Sequence, residues 1–194
     1  MALSSSDIRA AAARIGVDPC AVKAVLSVES SGSGFLPDGR PKILFEGHQF
    51  WRELQTRGLD PVPLAKNFPN LVYPRWDKKQ YRGGAAEWER LNAAARINRK
   101  AALRSASFGL FQIMGFNYAA CGFDSVEAFV AAQERGEAEQ LESFCALLKS
   151  QGQVRFLAAR DFAGFAARYN GPGYAANQYD VRLRRAYERC KGGA

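Results

Sequence analysis

Apolar residues recur at helical spacing along most of this chain and alternate at strand spacing almost nowhere. Ser4 to Asp7 predicts a helix N-cap, Ala10 to Ile15 a helix body, and Gly16 its stop. Asp18-Pro19 restarts a helix, with Asp as cap and Pro in the first turn, and this helix ends in the glycine-bearing SSGSG after Glu29. Pro37-Asp38-Gly39 then marks a turn, and Lys42-Ile43-Leu44-Phe45 reads as extended, the one strand or hairpin candidate. His48 to Arg57 is helical by pattern, whereas Leu59 to Trp76 carries four prolines and reads as a long ordered loop. From Ala85 the pattern is helical almost to the end. Punctuation falls at Ser105-Ala106-Ser107, Gly115, Cys121-Gly122, Gly136, Gln151-Gly152 and the turn Asn170-Gly171-Pro172-Gly173. No repeat, low-complexity tract or Gly/Ser linker intervenes. The pattern predicts one domain over residues 1–194, of α+β class and mainly α-helical.

One polar residue breaks the pattern informatively. In the second helix Val22, Val25, Leu26 and Glu29 follow i, i+3, i+4, i+7 spacing, which puts the Glu29 carboxylate on the face expected to be buried. Desolvation disfavours a carboxylate and raises its pKa, so such a group can hold its proton near neutrality. A neutral glutamic acid beside an apolar wall is what acid-assisted cleavage of a glycosidic bond requires. The alternative is that Glu29, at the helix end, turns to solvent or pairs with an arginine.

Composition narrows the field. An apolar share of 47% and a charged share of 24% over 194 residues exclude a disordered chain. No apolar run approaches the ~18 residues of a membrane-spanning helix. The start, MALSSSDIRAAAARIG, lacks an apolar stretch and carries Asp7 early, so synthesis in the cytoplasm and release by another route are expected. Twenty-seven Lys and Arg against 19 Asp and Glu leave a net charge of +8, which calls for an anionic partner: nucleic acid, a membrane surface or an acidic polymer such as cell wall. Cys20, Cys121, Cys145 and Cys190 are spread widely without a C-x-x-C pair, and His48 is the sole histidine. Reduced thiols, no metal and no cofactor are therefore expected.

Three segments then act together. Glu29-Ser30 closes a helix, Ser107-Phe108-Gly109-Leu110-Phe111-Gln112-Ile113-Met114-Gly115 follows far downstream, and Ala167-Arg168-Tyr169-Asn170-Gly171-Pro172-Gly173 lies near the end. In this order they resemble the Glu-Ser, Gly-Leu-Met-Gln and Tyr-Asn-x-Gly motifs of goose-type lysozymes and soluble lytic transglycosylases. With the block Pro41-Lys42-Ile43-Leu44-Phe45-Glu46-Gly47-His48-Gln49-Phe50, the chain resembles the N-acetylmuramidase family of bacteriophage endolysins from about Gly16 to about Tyr187. Phe111 stands where the transglycosylase pattern has Met and Phe108 where related endolysins have Trp, both apolar exchanges.

The resemblance implies a lysozyme-like fold with a small β-hairpin beside the active-site cleft. It implies a glycoside hydrolase in which Glu29 protonates the oxygen between N-acetylmuramic acid and N-acetylglucosamine of peptidoglycan. Ser30 either orients that carboxylate or caps the helix. Gln112 either binds a sugar acetamido group or makes a structural hydrogen bond. Tyr169 and Asn170 would fix the backbone near the cleft, Asn170 alternatively just ending a helix. Hydrolysis calls for a second carboxylate, for which Glu46 at the end of the strand candidate is the choice and Asp38 the reserve. Glu46 could equally pair with His48 or an arginine, and a lytic transglycosylase would dispense with the second carboxylate. His48 reads as structural rather than as a catalytic base. Tyr73, Trp76 and Tyr81 lie in or just after the proline-rich loop, where aromatics either stack on sugar rings or, as most do, belong to the core.

From Arg182 to Lys191 five cations face one anion, while Val181, Leu183, Tyr187 and Cys190 form a partly apolar stripe. This is either a terminal helix packed on the domain with a solvated charged face or a helix for anionic outer-membrane lipid. No nucleic-acid-reading element is recognisable. The expectation is a monomeric peptidoglycan-degrading enzyme without a separate wall-binding domain. It would be released from the bacterial cytoplasm through a holin pore, or alternatively delivered as an antibacterial effector. A non-catalytic wall-binding module is the competing class.

Overall fold

The computed structural model describes residues 3–30 and 32–192. The first half of the chain forms helices α1 (Ser5–Ile15) and α2 (Pro19–Glu29), strand β1 (Ile43–Phe45), and helices α3 (Gly47–Thr56) and α4 (Pro61–Asn67). Then come α5 (Ala85–Arg104), strands β2 (Ala106–Phe108) and β3 (Ile113–Met114), α6 (Val126–Arg135) and α7 (Glu137–Ser150). The helices α8 (Val154–Ala158), α9 (Phe162–Tyr169) and α10 (Tyr179–Lys191) follow. Among the described residues the fold is mostly helical, 62%, with a small antiparallel sheet of three strands. The chain divides into two compact units, residues 1–33 with 136–194, and residues 34–135.

In the first unit the helix ends are cut by local chemistry. Ser4 and Asp7 form a reciprocal cap, Asp7 N–H donating to Ser4 Oγ at 3.2 Å and Ser4 N–H to Asp7 at 2.8 Å, and Gly16 closes α1 at φ +71°. Asp18 caps α2 by accepting from Cys20 N–H at 2.8 Å. Helix α2 buries Ala21, Val22, Ala24, Val25 and Leu26, and α10, burying Leu183, Ala186 and Tyr187, packs against it. The far end of this pair is tied twice. Tyr187 Oη and Lys191 Nζ donate to Asp18 at 3.0 and 3.2 Å, and Cys20 is bonded to Cys190 with Cα atoms 5.5 Å apart. The expectation of four reduced thiols is thus corrected: helix packing brings together two cysteines 170 residues apart, a proximity no spacing rule contains. Cys121 and Cys145 remain free and buried, and burial pushes both thiols up to about 12.

The second unit holds the sheet. β2 is central, pairing Ile43 with Phe108 and Phe45 with Ala106 on one side, and Phe108 with Ile113 on the other. The segment expected to punctuate a helical run is therefore a short hairpin, too brief for a period-two pattern to register. Gly115 follows it where backbone meets backbone, since a Cβ there would collide with the Leu103 carbonyl. The expected loop from Leu59 to Trp76 contains α4, because Asp60 caps it by accepting from Val62 N–H at 2.9 Å and Pro61 sits in its first turn. Helix α5 breaks at Asn98, whose extended backbone and side-chain oxygen start the next turn by accepting from Ala101 N–H at 2.9 Å.

Glu87 anchors this unit. It is fully buried and accepts from Phe45 N–H at 3.1 Å, Arg82 N–H at 2.6 Å, Gly83 N–H at 3.1 Å and Arg90 Nη1 at 2.7 Å. Arg90 also donates to the carbonyls of Phe45 and Asn70, both at 3.0 Å. The pair thereby ties β1, α5 and the loop before Tyr73 into one connected polar network.

Candidate functional site

Glu29 is the last residue of α2 and half-buried, as the spacing of Val22, Val25 and Leu26 requires. Burial pushes its carboxyl above the ordinary glutamate value. One amide donation and the nearby charge of Arg182 pull the other way without reversing the shift. Its position adds to the effect, since the C-terminal end of a helix dipole disfavours negative charge. The donor is Asn170 Nδ2, 3.2 Å from Oε1 and 3.5 Å from Oε2. Asn170 caps the C-terminus of α9, and its Oδ1 is buried without a hydrogen-bond partner.

Tyr169 supports this amide from below. Its ring stacks on Phe165 at 5.5 Å and meets Phe144 edge-on at 5.8 Å. Burial, with the neighbouring Glu29 and Tyr179, raises its phenol, so the hydroxyl keeps its proton across the neutral range. Ser30 Oγ donates to the Leu26 carbonyl at 2.5 Å and its N–H to the same oxygen at 3.0 Å, so this side chain serves the helix end rather than the carboxylate. Three of the sequence-predicted residues, Glu29, Tyr169 and Asn170, therefore meet in one place, with Ser30 next to them. What they offer chemically is a glutamic acid whose pKa burial raises above the ordinary value, oriented by a single amide.

Glu46 and Gln112 belong to the other unit. Glu46 stands at the N-cap of α3 but makes no capping bond. Tyr81 Oη donates to its Oε2 at 2.5 Å, and His48 Nδ1 lies 3.2 Å from the same oxygen, off the line of a hydrogen bond, so that Nδ1 has no aligned partner. Burial lowers the His48 pKa more than Glu46 raises it, which leaves the imidazole neutral at neutral pH. Gln112 adopts φ +47° at the end of the β2–β3 turn. Its amide accepts from Ser107 Oγ at 2.8 Å and donates to the carbonyls of Gly109 at 2.8 Å and Lys42 at 3.2 Å, which joins the hairpin to the chain before β1. Asp38 is exposed and paired with Arg40 at 2.6 Å.

Two neighbours of these residues escaped the sequence reading. Arg182 of α10 points a guanidinium nitrogen to the Val28 carbonyl at 3.5 Å, beside Glu29, and lies over the Tyr179 ring. Tyr81 is half-buried, with its hydroxyl on Glu46. Neither contact has a sequence signal, because each joins residues from elements far apart in the chain. Of the three aromatics left between core and loop by the sequence, Tyr73 is buried and Trp76 is 61% exposed.

A model of the N-acetylmuramidase family matches residues 18–191. Among solved structures, that of the Burkholderia AP3 phage endolysin is similar: 45% identical, TM-score 0.90, over 96% of this chain and 71% of that one. No curated protein matches.

Proposed function

The chain belongs to the N-acetylmuramidase family, glycoside hydrolases acting on peptidoglycan, and from that premise we propose that Glu29 is its general acid. In this reading the neutral carboxyl donates its proton to the oxygen linking N-acetylmuramic acid to N-acetylglucosamine as the bond to C1 breaks. Asn170 directs the proton by fixing the carboxyl plane, and Tyr169 packs behind it. Glu46, held in one orientation by Tyr81, is our candidate for the second carboxylate that hydrolysis calls for. Gln112 shapes the β2–β3 hairpin, and the remaining lone pair of its Oε1 is free to accept from an acetamido N–H, while Ser30 keeps the helix end in register. The observation that carries this proposal is the half-buried Glu29 with a raised pKa and one neutral donor.

The similarity to a phage endolysin supports action on the wall of a bacterial host. Beyond that, we infer that the chain works as one domain and as a monomer. It reaches the wall from the cytoplasm through a holin pore. The face of α10 bearing Arg182, Arg184, Arg185 and Arg189 is exposed while Leu183, Ala186 and Tyr187 turn inward, which suits contact with anionic outer-membrane lipid. Val181, part of the expected apolar stripe, is exposed as well.

One experiment with two arms tests this. On purified peptidoglycan, the unaltered chain should release reducing ends, visible by mass spectrometry as hydrated rather than 1,6-anhydro products, and E29Q should release almost none. Retention of more than a few per cent by E29Q removes the assignment. Applied outside intact Gram-negative cells, the unaltered chain should kill without an added permeabiliser; failure there removes the lipid contact alone.

A further inference from the structure

Among the described phenylalanines and tryptophans three are exposed, Phe68, Phe116 and Trp76, and Trp76 is the most open to solvent. It is 61% exposed, whereas Trp88 is 8% exposed. A single exposed apolar residue needs no explanation by itself; what sets Trp76 apart is that its loop is held in place and that a second aromatic ring, Tyr81, stands against it.

The loop is well held. Leu71, Val72 and Tyr73 anchor its start in the core, and the Tyr73 hydroxyl accepts from Gly47 N–H at 3.2 Å. Asp77 ties the turn after Trp76, accepting from Lys79 N–H at 2.9 Å and Gln80 Nε2 at 3.3 Å. Tyr81 meets the indole edge-on, ring centres 6.3 Å apart, and its hydroxyl is fixed on Glu46. The tryptophan is thus pre-positioned beside a residue bonded to the candidate second carboxylate. Its surroundings are cationic: Arg75, Lys78, Lys79 and Arg82 are all exposed, against the single carboxylate of Asp77 in residues 74–82.

We propose that the Trp76 loop is a glycan subsite, where the indole stacks on the apolar face of an N-acetylhexosamine ring and the flanking cations take the carboxylates of the attached peptide. This rests on the peptidoglycan reading above and adds where the strand is held. A pyranose presents C–H groups on one face, which an indole face matches without competing for water. Lys and Arg on an exposed loop attract carboxylates at modest strength, which suits a strand that must slide onward after cleavage. The subsite thus splits recognition into a sugar part carried by Trp76 and a peptide part carried by charge.

The test uses the full chain carrying E29Q, so that ligand is not consumed. Tryptophan emission is titrated with chitotetraose and, separately, with a disaccharide-peptide released from peptidoglycan. Chitotetraose should shield the exposed indole from acrylamide, and W76A should weaken both probes about tenfold without lowering the unfolding midpoint. The double charge reversal K78E/K79E should weaken only the peptide-bearing probe. Should W76A fail to fold, the acrylamide measurement on the E29Q chain alone decides. Equal affinity of W76A and its parent for chitotetraose, or an indole as open to acrylamide with chitotetraose as without, overturns the proposal. Because binding is read without turnover, either result leaves the role of Glu29 standing, while lysis by E29Q would remove that role and leave the binding curves unaltered.

Discussion

Glu29 and Glu87 are both glutamates that helical patterning turns inward, and they end in opposite electrostatic states. Glu87 is the more deeply buried, yet its carboxyl is held below the ordinary value. Burial would raise it, but three backbone N–H donations and the Arg90 guanidinium outweigh that cost. Glu29 is only half-buried, yet its carboxyl is raised, because burial meets a single amide donor and one cation, Arg182, that does not hydrogen-bond to it. Burial alone therefore says little about ionisation; the number and charge of the donors decide. Glu87 is tied into the structure by its donors, and Glu29 is left more easily protonated than an ordinary glutamate.

Their contributions to stability run opposite ways with pH. Glu87, depressed in the folded chain, adds stability above its unfolded value of about 4.5 and loses it as pH falls through the folded value. Glu29, raised in the folded chain, leaves stability intact below that value and subtracts from it as pH rises through its folded value.

The largest effect expected is on activity at Glu29: E29Q should lower lysis by about 10²–10⁴-fold while leaving the unfolding midpoint slightly raised at neutral pH and unmoved below pH ~4. A matching loss of stability would mean that this carboxylate is structural after all. Next comes E87Q, which leaves Arg90 without a countercharge and turns an amide NH2 toward two of the four donors. It should cost about 3–5 kcal/mol, on the order of 10 °C in thermal midpoint by calorimetry, with activity per folded molecule preserved. Reduction of the Cys20–Cys190 bond, or C190S, should cost about 2–4 kcal/mol, seen as a lower denaturant midpoint in dithiothreitol. A midpoint indifferent to reductant would show that the packing and the Asp18 contacts hold α10 unaided. The smallest change is N170A. Losing the one donor should raise the Glu29 pKa further and move the alkaline limb of the kcat profile to higher pH, with kcat itself down by about tenfold or less. A limb moving to lower pH would mean that the Asn170 amide does not stabilise the Glu29 carboxylate.

Legibility in the sequence followed the range of the interaction. The caps at Ser4, Asp18 and Gly16 were readable because their chemistry spans three or four residues. The inward face of α2, and with it Glu29, was readable because helical period is local. Helix α4 was hidden because its prolines count as breakers unless the Asp60 cap is recognised first. Strands β2 and β3 were hidden because two or three residues carry no period. Tyr169 and Asn170 could be named from motif resemblance, but that Asn170 donates to Glu29 across 141 residues of chain could not.

By itself, then, the sequence determined the helical class, the helix ends, the inward carboxylate at the close of α2 and a positive charge suited to an anionic polymer. Only the tertiary structure decided which carboxyl is raised and which lowered, which cysteines bond and which tryptophan stays in water. Those outcomes depend on how many donors, thiols or side chains arrive from remote parts of the chain, and desolvation and pairing act over a few ångströms of space rather than a few residues of sequence.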